Sequence, residues 1–295
     1  MATGMIVKAL SGFYYVQTEE GIIQCRGRGN FRLRQIKPLV GDQVEFEAEN
    51  VTDGYILNVF ERKNELIRPP IANVDQALLV FSALEPDFSP LLLDKFLVHI
   101  EANDLTPVII ISKVDLLDSR ALTIIESYKK LYEEIGYTVL LTSTLQSDGI
   151  DEIVPFLNEK VSVVAGQSGV GKSSLLNSLQ PELNIETNEI SSHLGRGKHT
   201  TRHVELLRIG GGLVADTPGF SSLDFSNLEA EDLSACFPEM DEQASNCKFR
   251  GCTHTSEPKC AVKAALEQGE ISESRMKHYL QFLEEIKNQK KRYDK

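Results

Sequence analysis

Residues 166–173, Gly-Gln-Ser-Gly-Val-Gly-Lys-Ser, form a glycine-rich loop between the apolar run Val161–Ala165 and a segment of helical character, Ser173–Leu179. A strand that ends in such a loop and opens a helix is the phosphate-binding unit of an α/β nucleotide domain. The glycines let successive backbone N–H groups turn toward phosphate oxygens, and the helix N-terminus adds partial positive charge. Gly166, Gln167, Ser168, Gly169, Val170, Gly171, Lys172, Ser173 and the following Ser174 are therefore expected to line a nucleotide. Lys172 is placed to reach the β- and γ-phosphates, as a catalytic cation, and the Ser173 hydroxyl to ligate Mg²⁺. The order of the neighbouring motifs is unusual. A Ser112-Lys-Val-Asp115 run precedes the loop and Asp216-Thr-Pro-Gly219 follows it. In an ordinary domain of this kind the phosphate loop comes first and the base-reading motif last. The order here implies a circular permutation that keeps the pocket and moves the chain ends.

Each flanking motif carries its own chemistry. Ser112-Lys-Val-Asp115 follows the strand-like Val108–Ile111. A carboxylate at Asp115 accepts two hydrogen bonds from guanine N1 and N2, a donor pair that adenine lacks, so the choice falls on GTP over ATP. The Lys113 stem is suited to cover the base plane. Ser112 stands where Asn is usual, and its short side chain is expected to lose the amide that ties this loop to the phosphate loop. Ser143, within Thr142-Ser-Thr144, sits where a second base-contacting loop belongs. Asp216 closes a short strand and is expected to hold Mg²⁺ through water, while the Gly219 N–H senses the γ-phosphate. Between the two motifs, Gly195-Arg-Gly-Lys-His-Thr-Thr201 has the polar, glycine-rich character of a switch. Thr200 or Thr201 completes the Mg²⁺ shell in this reading, and Thr200 joins the catalytic set. Phe220 occupies the place where many GTPases carry a water-orienting Gln, and a phenyl ring cannot do that work. His199 is the nearest titratable replacement, with His193 and His203 close by.

The rest of the chain divides around this domain. Residues 1–68 read as short strands between glycine and polar turns, which fits a small antiparallel barrel of about five strands, an OB-fold. The strand-like runs are Met5–Val16, Gly21–Cys25, Gln43–Ala48 and Tyr55–Phe60. Arg68-Pro69-Pro70 reads as a stiff linker. Residues 69–222 alternate strands and helices, as a doubly wound sheet does. Residues 223–295 are mostly helical, ending in a long helix from Ser272 to Lys291 whose apolar stripe is Met276, Tyr279, Leu280, Leu283 and Ile286. The formal net charge is −12, and the stretch 71–222 holds 20 acidic against 11 basic residues. That balance argues against indiscriminate nucleic-acid binding. It leaves room for a local basic surface, and Arg26, Arg28, Arg32, Arg34 and Lys37 fall in a stretch without an acid. No signal-like segment and no bilayer-length apolar run is present, so the cytoplasm is the expected location and no membrane partner is expected.

Within the last segment Cys247, Cys252, His254 and Cys260 offer three thiolates and an imidazole, a complete tetrahedral set for one structural zinc ion. Cys25 and Cys236 stand apart and read as small buried side chains.

A barrel, a permuted GTP-binding domain and a Cys-x4-Cys-x-His-x5-Cys domain, in that order, resemble the RsgA family of small ribosomal subunit biogenesis GTPases over essentially the whole chain. The resemblance implies a cytoplasmic GTPase that binds the small (30S) subunit late in its maturation and is stimulated by it. The OB-fold and zinc domain would contact the 16S rRNA, and GTP or GDP would be the bound nucleotide. It also implies a hydrophobic residue in place of the catalytic Gln, as Phe220 is here, and an assisting histidine at the position of His199. A monomer is the expected form. Two other classes compete: an RNA-binding scaffold with a purely structural nucleotide, and an ATPase.

Overall fold

The structure, a computed structural model, describes residues 1–28, 31, 36–67, 69–185, 204–216, 223–226 and 228–290, with the side chains of Asp216 and Lys290 left aside. His193, His199, Thr200, Thr201, His203, Gly219, Phe220, Arg32 and Arg34 lie outside the described residues.

The first five strands are β1 (Ala2–Leu10), β2 (Phe13–Thr18), β3 (Gly21–Gly27), β4 (Gln43–Ala48) and β5 (Gly54–Val59). They close a barrel in the order β1-β2-β3-β5-β4. The pair β3–β5 is parallel and the other pairs are antiparallel, the connectivity expected of an OB-fold. The run Met5–Val16 is two strands, folded back at Ser11 and Gly12, which both adopt positive φ. Period-two alternation turns Ile6, Val16, Cys25, Val44, Phe46 and Ile56 into the barrel core. Gly54 leaves the space for the Cys25 sulfur, which lies 2.6 Å from where a Cβ would stand. Burial pushes the Cys25 thiol up to about 11, so it stays protonated and inert.

The expected linker is an ordered hairpin, β6 (Glu65–Ile67) with β7 (Pro70–Ala72). It is stitched to the barrel by main chain. The Ala72 N–H donates to the Val40 carbonyl at 2.9 Å. Gly41 approaches so closely that a Cβ there would lie 2.0 Å from the Ala72 oxygen. Arg62 grips buried Asp42 with both arms of its guanidinium, at 2.7 and 2.8 Å.

The central domain contains β8 (Gln76–Ser82), α1 (Pro90–Glu101), β9 (Thr106–Ser112), α2 (Ser119–Ile135), β10 (Thr138–Leu141), α3 (Val154–Leu157), β11 (Val161–Ala165), α4 (Lys172–Leu179), β12 (Leu206–Ile209) and β13 (Gly212–Asp216). Its sheet runs β10-β9-β8-β11-β13-β12 and is parallel except for the edge strand β12. Strands β8 and β11 are buried along their whole length, as a sheet covered on both faces requires. Leu79, Phe81, Ile109 and Ile111 pack with Leu93 and Leu97 of α1 on one face. Leu78, Val80, Val108 and Ile110 pack with Leu175 and Leu176 of α4 on the other. Helix α2 is capped at both ends: the Asp118 carboxylate accepts from the Ala121 N–H at 2.8 Å, and Gly136 closes it with φ of 108°.

The last segment holds α5 (Pro238–Ala244), α6 (Ala261–Gln268) and α7 (Glu273–Lys290) around a second apolar core. The stripe on α7 differs from expectation at one position. Leu280 is exposed, and Phe282 takes its place in the core beside Met276, Tyr279, Leu283 and Ile286. Arg275 and His278 share that inner region because they answer a buried acid on another domain.

That acid is Asp94 of α1, fully buried. It accepts from Arg275 NH1 at 2.7 Å, Tyr132 Oη at 2.7 Å and His278 Nδ1 at 2.5 Å. Arg275 also holds Glu239 of α5 through two hydrogen bonds, at 2.7 and 3.0 Å. Two helices of the last segment, α5 and α7, and two of the central domain, α1 and α2, thus meet around one buried carboxylate–guanidinium pair. Replacing Arg275→Met takes the guanidinium away from buried Asp94 and largely buried Glu239. Denaturant unfolding is expected to show a loss of about 3–5 kcal/mol.

Candidate nucleotide site and metal centre

Four segments with expected nucleotide contacts leave the sheet at one edge. The phosphate loop follows β11, Ser112 ends β9, Asp216 ends β13 and Ser143 follows β10. Register aligns them: Val164 pairs with Asp216, Ala165 with Leu79, and Ser82 with Ser112. This is the carboxyl edge of a doubly wound sheet, where ligands bind.

The phosphate loop is built on three glycines with positive φ: Gly166, Gly169 and Gly171. A side chain at Gly166 is excluded twice, because a Cβ would also lie 2.1 Å from the Val80 carbonyl oxygen. Gly171 caps α4 without a side-chain hydrogen bond, which leaves the first N–H groups of the helix open to a ligand. The Lys172 ammonium donates to the carbonyls of Gly166 at 2.9 Å and Gln167 at 2.5 Å, across the mouth of the loop. Ser173 is buried under it, Ser174 half-buried, and Gln167, Ser168 and Gly169 face outward. Val170 points into the core beneath α4 and seats the loop on the sheet.

Ser112 corrects an expectation. Its hydroxyl lies 2.6 Å from the Val170 carbonyl and 3.1 Å from that of Phe81. The tie between base-reading loop and phosphate loop is therefore present, made by a hydroxyl instead of an amide. It works because Ser112 is still on β9, buried one strand from the loop, where a short side chain suffices. Lys113 adopts a left-handed backbone and its ammonium donates to the Glu85 carbonyl, beyond the end of β8. Asp115 is half-buried on the turn Val114–Leu116, and no described residue hydrogen-bonds to its carboxylate. The two base-side loops are joined by main chain. Thr142 N–H donates to Ile111 at 2.9 Å, and Val114 N–H donates to the Thr142 carbonyl at 3.3 Å. Ser143 is buried and its hydroxyl accepts from the Gln146 N–H at 3.1 Å. The sequence carried no signal for the Glu85 and Val170 carbonyls, since any residue offers one.

The Cys/His cluster assembles as expected. The donor atoms of Cys247, Cys252, His254 and Cys260 all lie within 4.8 Å of one another. Cys247 Sγ is 3.9 Å from Cys260 Sγ and 3.8 Å from His254 Nδ1. A zinc–sulfur bond of about 2.3 Å gives a tetrahedral edge of about 3.8 Å, so donors and spacing fit zinc. His254 is buried and turns Nδ1 to the thiols. Its Nε2–H is then the donor to Ser234 Oγ at 2.8 Å, which fixes tautomer and ring orientation. Ser234 is a supporting residue that the sequence did not mark. Four protein donors leave no open position, the donor set of a structural site and not of a catalytic one. Cys236 lies apart, with its thiol pushed up to about 12 by burial.

On the barrel, Arg26 lies over the Phe13 ring at 5.0 Å and Arg28 pairs with exposed Glu47. No helix among the described residues is long and apolar enough to cross a membrane.

A central strand feeding a phosphate loop, with the base-reading motif ahead of it in the chain and a closed barrel before both, defines a circularly permuted GTPase. The chain belongs to the RsgA family: the RsgA GTPase model matches residues 59–226, and the RsgA N-terminal domain model matches residues 3–56. It hydrolyses GTP, as that family does. A relative from Halalkalibacterium halodurans, called small ribosomal subunit biogenesis GTPase RsgA, is 68% identical over 99% of both chains. One of the same description from Bacillus cytotoxicus is 67% identical over 99% of this chain and 100% of its own. Among solved structures, YloQ, a circularly permuted GTPase, is 52% identical, with a TM-score of 0.86 and 98% of this chain and 96% of its own covered. YjeQ from Thermotoga maritima is 40% identical, also with a TM-score of 0.86, over 96% of this chain and 98% of its own.

Two expectations follow. Ser112→Ala removes the tie to Val170 and leaves Asp115 in place. GDP affinity, measured by titration calorimetry, should fall about five- to tenfold with the preference for guanine retained, the cost of one buried hydrogen bond. Chelation of the metal should release the Cys247–Cys260 segment. Amide exchange is expected to rise there and in α6 while β8, β9 and β11 stay protected.

Proposed function

We propose that this chain is an assembly factor for late maturation of the small (30S) ribosomal subunit. Its GTP hydrolysis is stimulated by that subunit, and its GTP or GDP state governs docking and release. The observation that carries this reading is near-complete coverage at 68% identity by a relative named for small ribosomal subunit biogenesis. The barrel and zinc-bearing segment are the rRNA contacts in this proposal, and the chain acts as a cytoplasmic monomer.

The chemistry is transfer of the γ-phosphoryl group to water. Water oxygen bonds to Pγ, the bond from Pγ to the β–γ bridging oxygen breaks, and GDP and phosphate leave. Lys172 is drawn from the Gly166 and Gln167 carbonyls onto the β- and γ-phosphates. The open N–H groups of the loop and of α4 hold the phosphate oxygens. Asp115 reads guanine N1 and N2, Lys113 covers the base, and Ser143 lines its far side. Ser173, Asp216 and Thr200 or Thr201 would hold Mg²⁺, which would supply positive charge to the phosphates. His199 is proposed to orient the water that Phe220 cannot, and the Gly219 N–H to sense the γ-phosphate.

The route from that sensor to the zinc-bearing segment has a physical anchor. Phe225, the residue after Asp224, is buried where α1 meets the last segment. It stacks on His99 of α1 at 5.1 Å, packs on Phe282 of α7 at 5.3 Å and lies under the Lys95 ammonium at 4.8 Å. Lys95 also bonds Glu285 of α7 at 2.7 Å. The chain just past residues 217–222 is thus seated in the α1–α7 joint.

The test is the rate of GTP hydrolysis with and without purified small subunits, for wild type and His199→Ala. Stimulation of at least tenfold in wild type and its loss in His199→Ala are expected. Equal rates with and without subunits overturn the checkpoint. Stimulation that survives in His199→Ala assigns the water to another group.

A further inference from the structure

We infer that the tip of the metal-site loop, Lys248-Phe249-Arg250, is a stacking platform for single-stranded RNA. The inference rests on the small-subunit reading above and gives that contact a chemical form. Phe249 is 44% exposed and stands outside the apolar core of its segment. A lone exposed aromatic is ordinary on a protein surface. Three further features set this one apart. Its ring is covered on one side by the Lys248 ammonium, 5.1 Å from the centroid. Arg250 follows directly and is also exposed. No described acid pairs with Lys248 or Arg250, whereas Arg28, Lys63, Lys95 and Arg275 each have a carboxylate partner.

The loop is anchored at both ends. Cys247 and Cys252 pin its two ends to the metal centre. The Ala261 N–H donates to Cys247 Sγ at 3.3 Å, and the Lys248 N–H donates to the Lys259 carbonyl at 3.4 Å. The nearest acid on the second arm, Glu257, is occupied by the N–H groups of Thr253 and Thr255, at 2.9 and 2.8 Å. A rigid aromatic flanked by two unpaired cations matches one nucleotide step: a base on the ring and the adjoining phosphates on Lys248 and Arg250. Duplex RNA offers no free base face to such a tip, so an unpaired strand is the partner.

The test uses the full chain with zinc bound and a fluorescent, mixed-sequence single-stranded RNA oligonucleotide, which keeps it separate from ribosome activation. Phe249→Ala should weaken binding about tenfold and Phe249→Trp should restore it. Lys248→Ala with Arg250→Ala should flatten the dependence of log affinity on log salt by about 1.4. Zinc content, melting temperature and GTP hydrolysis without RNA should be unchanged in all three. Ultraviolet irradiation with small subunits should give an RNA adduct on the peptide that contains Phe249. Wild-type affinity of Phe249→Ala for the oligonucleotide overturns the inference even if subunits still stimulate hydrolysis. Weakened subunit binding with no RNA adduct also overturns it, and points to an acidic ribosomal protein at this tip.

Discussion

Strand β11 hydrogen-bonds to β8 on one side and β13 on the other, and the geometry of the nucleotide site follows from that placement. A central strand buried on both faces cannot shift by one residue without turning its apolar side chains against the wrong helices. Its end is therefore fixed, and with it the height of the phosphate loop above the sheet. Pairing of Val164 with Asp216 brings the metal-side strand to the same level. Pairing through β8 brings Ser112 there too, close enough for its hydroxyl to reach the Val170 carbonyl. Circular permutation changes none of these pairings, because hydrogen bonds between strands do not depend on which strand comes first in the chain.

What permutation does change is where the domain must accept neighbours. Helix α1 is the first helix of the central domain, yet its outer face is covered by the last helix of the chain. The covering is polar at its centre. An isolated buried carboxylate is costly; Asp94 is satisfied by three donors, and the Arg275 guanidinium supplies the opposite charge. Around that centre the contact is aromatic, with Phe237 below the guanidinium at 4.4 Å and Phe225 and Phe282 beside it. The arrangement specifies one docking geometry, since any rotation of α7 breaks several short, charged hydrogen bonds together.

Much of this was legible in the sequence where the signal is local. The phosphate loop, the caps of α2 at Asp118 and Gly136, and the four metal donors are set by residues close together in the chain, and each requires specific residue types. The contacts that escaped join residues far apart. Asp94 and Arg275 are 181 positions apart, and nothing in either neighbourhood marks a buried charge. The same cause explains Leu280 and Phe282: helical spacing allows either on the inner face, and His99 and Phe225, distant in sequence, decide. Ser112 was misjudged for a different reason. Side-chain type suggested a lost amide, whereas the distance from β9 to Val170 makes a hydroxyl long enough.

The two stretches that the motifs mark as nucleotide-sensing end in contacts with different domains. Shortly beyond residues 186–203, Glu205 bridges Lys8 of the barrel strand β1 through both main chain and a 2.8 Å ion pair. Beyond residues 217–222, Phe225 stacks on His99 of α1 at 5.1 Å. Burial holds the His99 pKa below its ordinary value, so the ring is neutral near pH 7 and stacks on Phe225 without bringing a charge into the joint. The two anchors differ in kind. An exposed ion pair contributes little and is screened by salt, while a buried aromatic stack between two helices resists displacement. The attachment at the α1–α7 joint is therefore the firmer of the two.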